Sequence, residues 1–303
     1  MMLLRNLQSE GLKRILLPGF ICESVVQAVT EIGVTTAFYD VSGDLDAAVE
    51  CRQGDGLVVV HYFGWPSRMI SGADWIIEDY SHALLSTFDP KPGHFTFFSA
   101  RKFSGINAGG WCSIDAQSAL AADDGLDNVL NVLVRGQELK REYLNRGCEE
   151  ADEEAEHAYL AAFDTVESYF DGACDALAMP ERVRSGIDEE DWLMIRSVRR
   201  RNWSVLHQIL DGRVPGLFEN LPDEVCPLGY ILRLGSKHRD RVRAGLMNSN
   251  VYTAVHWPPL SQVTPEDCPG ATRLAEEILT LPVDHRYGED DMEWVAQQLL
   301  ALC

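Results

Sequence analysis

Short apolar segments alternate with amphipathic ones through the first third of the chain, and this pattern limits the possible folds more than any other feature. The strand-length segments are residues 14–17, 37–41, 56–61, 75–78 and 94–99. Residues 23–32, between the first two, carry apolar side chains at helical spacing. Strands that are apolar on both faces and alternate with helices are typical of a mainly parallel sheet covered on both sides. The sequence therefore predicts an α/β fold.

The middle of the chain has a different pattern. Residues 115–170 are helical in spacing, with an acidic run at 149–156, and residues 188–210 predict a further helix. Within that helix, residues 199–201 form a run of three arginines. We interpret this run as a solvated helix face or, if it is functional, as positive charge that neutralises a phosphate-bearing substrate.

A connection with three prolines, residues 212–227, precedes the C-terminal region. Beyond it the pattern predicts a strand at 228–234, a helix at 237–247, a strand at 251–256 and helices at 272–279 and 289–302. We therefore expect a large domain with connecting helices over residues 1–211 and a small α/β domain over residues 212–303.

Charge and composition narrow the range of partners. With 26 basic and 47 acidic residues the chain carries a net charge of −21, which repels nucleic-acid phosphates and anionic lipids. No apolar run approaches the roughly 20 residues that span a bilayer, and residues 1–11 lack the pattern of a secretory signal. The eight cysteines never approach CxxC spacing, which disfavours a metal cluster. We expect a cytoplasmic protein, without a metal, whose partner is a small molecule.

Two segments place reactive groups just beyond apolar strands. They are IIEDYSH at 76–82 and FFSARK at 97–102. Because α/β sheets bind ligands at the carboxyl ends of their parallel strands, an acid and an amine at such ends suit pyridoxal phosphate, which needs a lysine for attachment and a carboxylate at its pyridine nitrogen. Taken singly, Asp79 could instead cap a helix, and Lys102 could be an ordinary surface lysine.

Several motifs in this order resemble one enzyme family. Segment 16–22 (LLPGFIC) is similar to a strand and P-x-x-T-x turn, 33–40 to a G-x-x-P-x-x-x-D segment, 78–82 to E-D-x-A-[HQ], and Lys102 with Gly109 and Gly110 to K-x6-G-G. Segments 255–258 and 281–284 look like strands of that family's small domain. The chain thus resembles the DegT/DnrJ/StrS family of pyridoxal-phosphate-dependent sugar aminotransferases.

The resemblance implies the type I pyridoxal-phosphate-transferase fold, with a mainly parallel large-domain sheet and a small C-terminal α/β domain. It also implies a homodimer that transfers an amino group from glutamate to a keto-sugar, with a nucleotide-linked sugar as one option. Asp79 would pair with the cofactor's pyridinium nitrogen, and His82 would lie near its phenolic oxygen. Lys102 would attach the cofactor and later move a proton as a neutral amine.

Three further positions follow from the same resemblance. Ser99 and Arg101 are the candidates for contacts with the cofactor's phosphate. Cys22 stands where the family often has an aromatic residue that stacks on the cofactor ring.

The chain also departs from the family pattern. The helix start that binds the cofactor's phosphate in the family would precede Met1, Phe97 stands in place of a serine, and the middle lacks an asparagine–tyrosine–arginine segment. The alternative hypothesis is therefore a non-catalytic family member that keeps the fold and the dimer.

Overall fold

The computed structural model describes residues 1–106, 108–114, 120, 124–146, 153–172 and 176–303. Its helices are α1 (Met2–Ser9), α2 (Glu23–Ile32), α3 (Asp124–Asn145), α4 (Glu153–Gly172), α5 (Glu181–Glu189), α6 (Trp192–Leu210), α7 (Ser236–Asn248), α8 (Pro269–Glu277) and α9 (Glu289–Leu300). Its strands are β1 (Arg14–Pro18), β2 (Thr35–Tyr39), β3 (Ala47–Val49), β4 (Asp55–Val60), β5 (Met69–Ser71), β6 (Trp75–Asp79), β7 (Phe95–Ser99), β8 (Gly110–Cys112), β9 (Tyr230–Arg233) and β10 (Ile278–Leu281).

A six-stranded sheet forms the centre of the N-terminal part, in the order β2-β1-β4-β6-β7-β8. All neighbours pair in parallel except β8, which runs antiparallel to β7. The register places Asp79 opposite Val60 on one side and Phe97 on the other. The carboxyl ends of β1, β4, β6 and β7 therefore share one edge of the sheet. The predicted α/β fold class with a mainly parallel sheet is confirmed.

The apolar runs that predicted the strands form the main core. Every residue of β4 is buried, and α1 and α2 add their apolar faces to the same cluster through residues such as Leu7 and Val29. Helices α3 and α4 pack against each other as a hairpin, with a smaller apolar cluster of their own. None of the described helices is long and apolar enough to cross a membrane.

A second cluster joins α6 to the C-terminal elements. Trp203, Leu206 and Leu210 of α6 pack with buried residues of β9, α7, β10 and α9. Strands β9 and β10 pair antiparallel, with Tyr230 opposite Leu281. The domain division at residues 211 and 212 stays a prediction.

One of the predicted C-terminal elements is wrong, and another has a misplaced end. Residues 251–256 form no regular strand and contribute a single bridge between Ala254 and Thr280. The helix predicted at 272–279 ends at Glu277, and Ile278–Leu281 is a fully buried strand. A short apolar run fits a buried strand and a buried helical turn equally well, so its periodicity does not decide between them.

Part of the predicted middle region falls outside the described residues. These are 115–119, 121–123 and 147–152, which include the first half of the acidic run. The described remainder of residues 115–170 is helical, as predicted, in α3 and α4.

Helix α8 is tied to the N-terminal sheet through its first turn. The Asp40 carboxylate, just beyond β2, accepts hydrogen bonds from the backbone N–H groups of Gly270 (3.0 Å) and Ala271 (2.8 Å). Glycine is needed at 270 because a Cβ there would lie 2.0 Å from the carbonyl oxygen of Val41. A carboxylate at this end of a helix satisfies free N–H groups and complements the helix dipole.

We predict that Asp40→Ala lowers the free energy of unfolding by about 1–2 kcal/mol, the usual effect of removing an N-terminal cap. Urea denaturation measures it. Asp44→Ala, which changes an exposed carboxylate in the same loop, should leave the unfolding midpoint nearly unchanged. Equal midpoints for the two variants would contradict the capping role of Asp40.

Candidate active site

Loops at the carboxyl edge of the sheet gather the candidate side chains. Cys22 follows β1, Asp79 ends β6, His82 lies in the next turn, and Lys102 follows β7. The loop that carries Lys102 is closed by a hydrogen bond from Ala100 N–H to the Gly109 carbonyl at 3.1 Å. The charges of both Asp79 and Cys22 act on the Lys102 amine. The structure thus brings these four residues together.

A hydrogen bond joins Lys102 to His82. Lys102 Nζ lies 2.8 Å from His82 Nε2, and His82 Nδ1 accepts a bond from the backbone N–H of Phe63 at 3.4 Å. A neutral imidazole has one N–H. Since Nδ1 is an acceptor, that N–H is on Nε2 and points at Nζ. Lys102 Nζ is then the acceptor, which requires an unprotonated amine.

Burial supports the same protonation state. It is the main reason that the pKa of Lys102 is lowered, and the negative charge of Asp79 only partly opposes it. Burial, followed by the nearby Lys102 charge, lowers the pKa of His82 well below its ordinary value. Burial therefore favours the neutral form of both groups, in agreement with the hydrogen-bond geometry, and a neutral lysine is a nucleophile.

Asp79 receives its hydrogen bonds from Ser81. Its side chain is buried, and Oδ1 accepts a bond from the Ser81 N–H at 2.7 Å. Burial raises the pKa of this carboxyl, against the opposing effect of hydrogen bonds from the side chain and the backbone of Ser81. Because a carboxylate has about four acceptor positions, this one can accept a further bond from a ligand.

Glu78 points to the opposite face of β6, where it has a structural role. Its Oε2 lies 2.8 Å from His61 Nε2, and its Oε1 lies 2.5 Å from His94 Nδ1. The carboxylate also accepts hydrogen bonds from the Lys91 N–H and the Tyr80 hydroxyl. Burial alone would raise the pKa of Glu78, but these hydrogen bonds, led by that of His61, hold it near 2. Among the described residues no cluster of His, Cys, Asp and Glu side chains is arranged to hold a metal.

Two aromatic residues, Trp257 and Phe20, form what we call the aromatic wall beside His82. The Trp257 ring stacks on His82 with centroids 5.1 Å apart and planes 20° apart, and its centroid lies 5.7 Å from Lys102 Nζ. Phe20 packs on the other side of Trp257 at 5.0 Å. We interpreted residues 256–257 as the end of a core strand, so the sequence did not predict this wall. A tryptophan distant in sequence gives no periodic signal that it lies beside a lysine.

The remaining predicted residues lie nearby but make other contacts. The Arg101 guanidinium pairs with Glu167 of α4 at 2.7 Å and lies over the Phe170 ring at 4.8 Å. Ser99 ends β7 opposite Gly110, and its hydroxyl bonds to no described residue. Cys22 begins α2, with its Sγ 3.1 Å from the Ser24 hydroxyl. Their assignment to cofactor contacts stays a prediction.

Arg199 differs from the solvated residue that we expected. It is only 3% exposed. Its guanidinium donates to the carbonyl oxygens of Lys102 at 3.3 Å and Leu228 at 3.2 Å and lies 4.8 Å from the Phe103 ring centroid. The first arginine of the basic run therefore faces inwards and holds the lysine loop in place through the Lys102 carbonyl. A run of like charges on a helix does not predict such a contact.

Two cavities border Lys102. One, of about 500 Å³, lies between the lysine loop, α3 and residues 284–286. The other, of about 300 Å³, lies between Lys102, His256 and residues 280–284. A larger cavity of about 970 Å³ is bordered by α1, α2 and residues 176–179 and does not touch Lys102. The chemistry places the site at the two smaller cavities, because both border the residue that carries the reactive amine.

Comparison with known proteins identifies the fold. No protein-family model matches the chain, and no curated protein matches its sequence. Spr1654 of Streptococcus pneumoniae, whose name describes it as a sugar aminotransferase, is similar in its PMP form, with a TM-score of 0.67 at 16% identity over 99% of this chain and 84% of that one. The aminotransferase TlmJ from Streptoalloteichus hindustanus gives a TM-score of 0.64 at 18% identity over 96% and 79% of the chains.

A DegT DnrJ EryC1 StrS aminotransferase from Brucella abortus is also similar, with a TM-score of 0.57 at 16% identity over 97% of this chain and 81% of that one. The chain therefore has the fold of these aminotransferases, and the fold that the motif resemblance implied is confirmed.

We predict that His256 makes the protein less stable as the pH falls. Burial, followed by the Lys102 charge, lowers its pKa from 6.5 to about 4. Below its ordinary pKa the unfolded chain binds a proton that the native site does not accept, so the stability present above pH 6.5 is lost towards pH 4. When urea denaturation is repeated from pH 6.5 down to pH 4, the free energy by which the wild type is more stable than His256→Gln should shrink. Parallel pH curves would contradict this, and exposed His157→Gln is the control.

Proposed function

We propose that this protein is a pyridoxal-phosphate-dependent aminotransferase of the DegT/DnrJ/StrS family. It transfers an amino group from glutamate to a keto-sugar. The observation that carries the proposal is the buried Lys102 amine, 2.8 Å from His82 Nε2 and under the influence of the buried Asp79 on this fold. The names of the similar structures support it, since Spr1654 was solved in both a PLP form and a PMP form.

The residues present fit this cofactor. Asp79 offers a buried carboxylate that can accept a further hydrogen bond, which suits the protonated nitrogen of a pyridine ring, and the added positive charge would lower the raised pKa of this carboxyl. Lys102 offers a neutral amine for covalent attachment. When bound, pyridoxal phosphate supplies an electron sink and a carrier for the amino group.

The chain's own groups then divide the proton chemistry. Lys102 Nζ, once released from the cofactor, accepts a proton from the substrate carbon and returns it, which a neutral amine can do and an ammonium cannot. His82 Nε2–H holds Nζ in place, and its own orientation is set by the Phe63 N–H. Asp79 stays ionised beside a cation, so it does not compete for that proton.

The aromatic wall excludes water from this exchange. Trp257 lies over His82, and Phe20 and Tyr62 pack behind it, with ring centroids 5.0 Å and 6.3 Å from Trp257. Removing water strengthens the electrostatic interactions inside the site and keeps the lysine neutral.

The phosphate contacts are proposed for Ser99 and Arg101. The Ser99 hydroxyl bonds to no described residue and is available to a ligand. Arg101 would have to leave Glu167, whose side chain is 60% exposed, and an ion pair this exposed is weak. Cys22 would face the cofactor ring with a small thiol in place of an aromatic group.

The homodimer and the cytoplasmic location also remain proposals. At the start of α6, Leu193 is 82% exposed and Met194 is 41% exposed. Large apolar side chains next to each other on a surface support a subunit contact there.

We predict that added pyridoxal phosphate gives the wild-type protein a visible absorbance band and, after borohydride, a phosphopyridoxyl group on Lys102. Lys102→Ala should lose both, whereas Lys237→Ala, which changes an exposed lysine on α7, should keep both. Absorbance and peptide mass spectrometry report the outcome. A wild-type protein without the modified Lys102 peptide would favour the non-catalytic alternative.

We also predict that Asp79→Asn keeps the cofactor attached but slows conversion to the amine form by L-glutamate about 100-fold or more, because asparagine cannot stabilise a protonated ring nitrogen. Single-turnover absorbance measures this rate. Asp44→Asn is the control, and a rate for Asp79→Asn equal to that of the wild type would remove Asp79 from the mechanism.

A further inference from the structure

Basic side chains collect around the 500 Å³ cavity, which we call the cationic cavity. Among the described residues, its lining has six lysine or arginine side chains and one carboxylate, that of Asp284; the lysines and arginines are Arg101, Lys102, Lys140, Arg141, Arg199 and Arg286. The chain as a whole has 26 basic and 47 acidic residues. A local excess of positive charge inside a concave surface focuses the electric field and concentrates anions.

Some of these charges are already balanced. Arg286 donates two bonds of 2.8 Å to the Asp284 carboxylate, and Arg101 pairs with Glu167. Arg199 is surrounded by carbonyl oxygens, which are dipoles rather than charges, and its Nε is buried without a partner. The positive charge of Arg199 therefore has no direct counter-ion within the described residues.

Lys140 and Arg141 add two cations without an ion-pair partner among the described residues. They are consecutive on α3, and no carboxylate of the described chain forms an ion pair with either. Lys140 Nζ lies 5.8 Å from the Tyr159 ring centroid and 5.9 Å from that of Phe163. Burial, followed by the charge of Arg286, lowers the pKa of Lys140, and the charge of Asp284, which is already bonded to Arg286, opposes them.

We propose that the cationic cavity binds a doubly charged oxyanion, a phosphoryl or dicarboxylate group, carried by the molecule that reacts at Lys102. Lys140 and Arg141 contact the group directly, and the positive charge of Arg199 adds to the attraction. Because Lys102 borders the same cavity, a single substrate can reach both the amine and the two cations. The volume is in the range of small-molecule sites. The assignment to a substrate rests on the proposed function.

The test measures binding of two probes to the full chain by calorimetry, inorganic pyrophosphate for a phosphoryl source and glutarate for a dicarboxylate source. We expect one probe to bind, more weakly at higher salt, and the double variant Lys140→Gln, Arg141→Gln to weaken it about tenfold or more, because charge-assisted hydrogen bonds are lost. Arg135→Gln is the matched control, since Arg135 lies on the same helix and pairs only with Glu138 at the surface.

The outcomes are distinct. Preference for pyrophosphate identifies a phosphoryl group, and preference for glutarate identifies a dicarboxylate. Binding of neither probe, or equal binding by the double variant, overturns the cavity's role. Cofactor attachment at Lys102, measured in the same proteins, separates the two proposals: attachment without probe binding overturns only this inference, and probe binding without attachment overturns only the aminotransferase.

Discussion

The site depends on one hydrogen bond between two neutral groups, Lys102 Nζ and His82 Nε2. Neither group could keep this arrangement if it were charged, because each is buried and each would repel the other's proton. The bond in turn depends on the sheet, since β6 and β7 are adjacent and parallel and deliver the two side chains to the same edge. The protonation state of the lysine is therefore a consequence of strand order and burial.

Strand β6 separates two carboxylates with opposite roles. Successive side chains of a strand point to opposite faces, so Glu78 and Asp79 share a backbone but not an environment. Glu78 is surrounded by donors, which keep it ionised and hold the loops after β4 and before β7 in place. The described hydrogen bonds of Asp79 come from Ser81. The carboxylate with several donors stabilises the fold, and the other can accept a further bond from a ligand.

Local patterns predicted the strand-end residues because their positions follow from the chain itself: an apolar run ends, and polar groups follow at its carboxyl end. Asp79, His82 and Lys102 belong to this class. Trp257 and Arg199 do not, since each reaches the lysine loop from a distant part of the chain; Arg199 and Lys102, for example, are 97 positions apart. The helix predicted at 272–279 ran into the start of β10 for a related reason, because only the pairing of β10 with β9 selects the extended form.

The acidic character of the chain makes the cationic cavity more selective for anions. A surface of net charge −21 repels small anions on approach, so an anionic molecule gains most where the local sign reverses. The positive charges of the cavity come from residues of α3, α6 and the loop after β10. These elements lie in separate parts of the sequence and meet beside Lys102. Positive charge there also disfavours protonation of the lysine, so the same residues that would attract an anion help to keep the amine reactive.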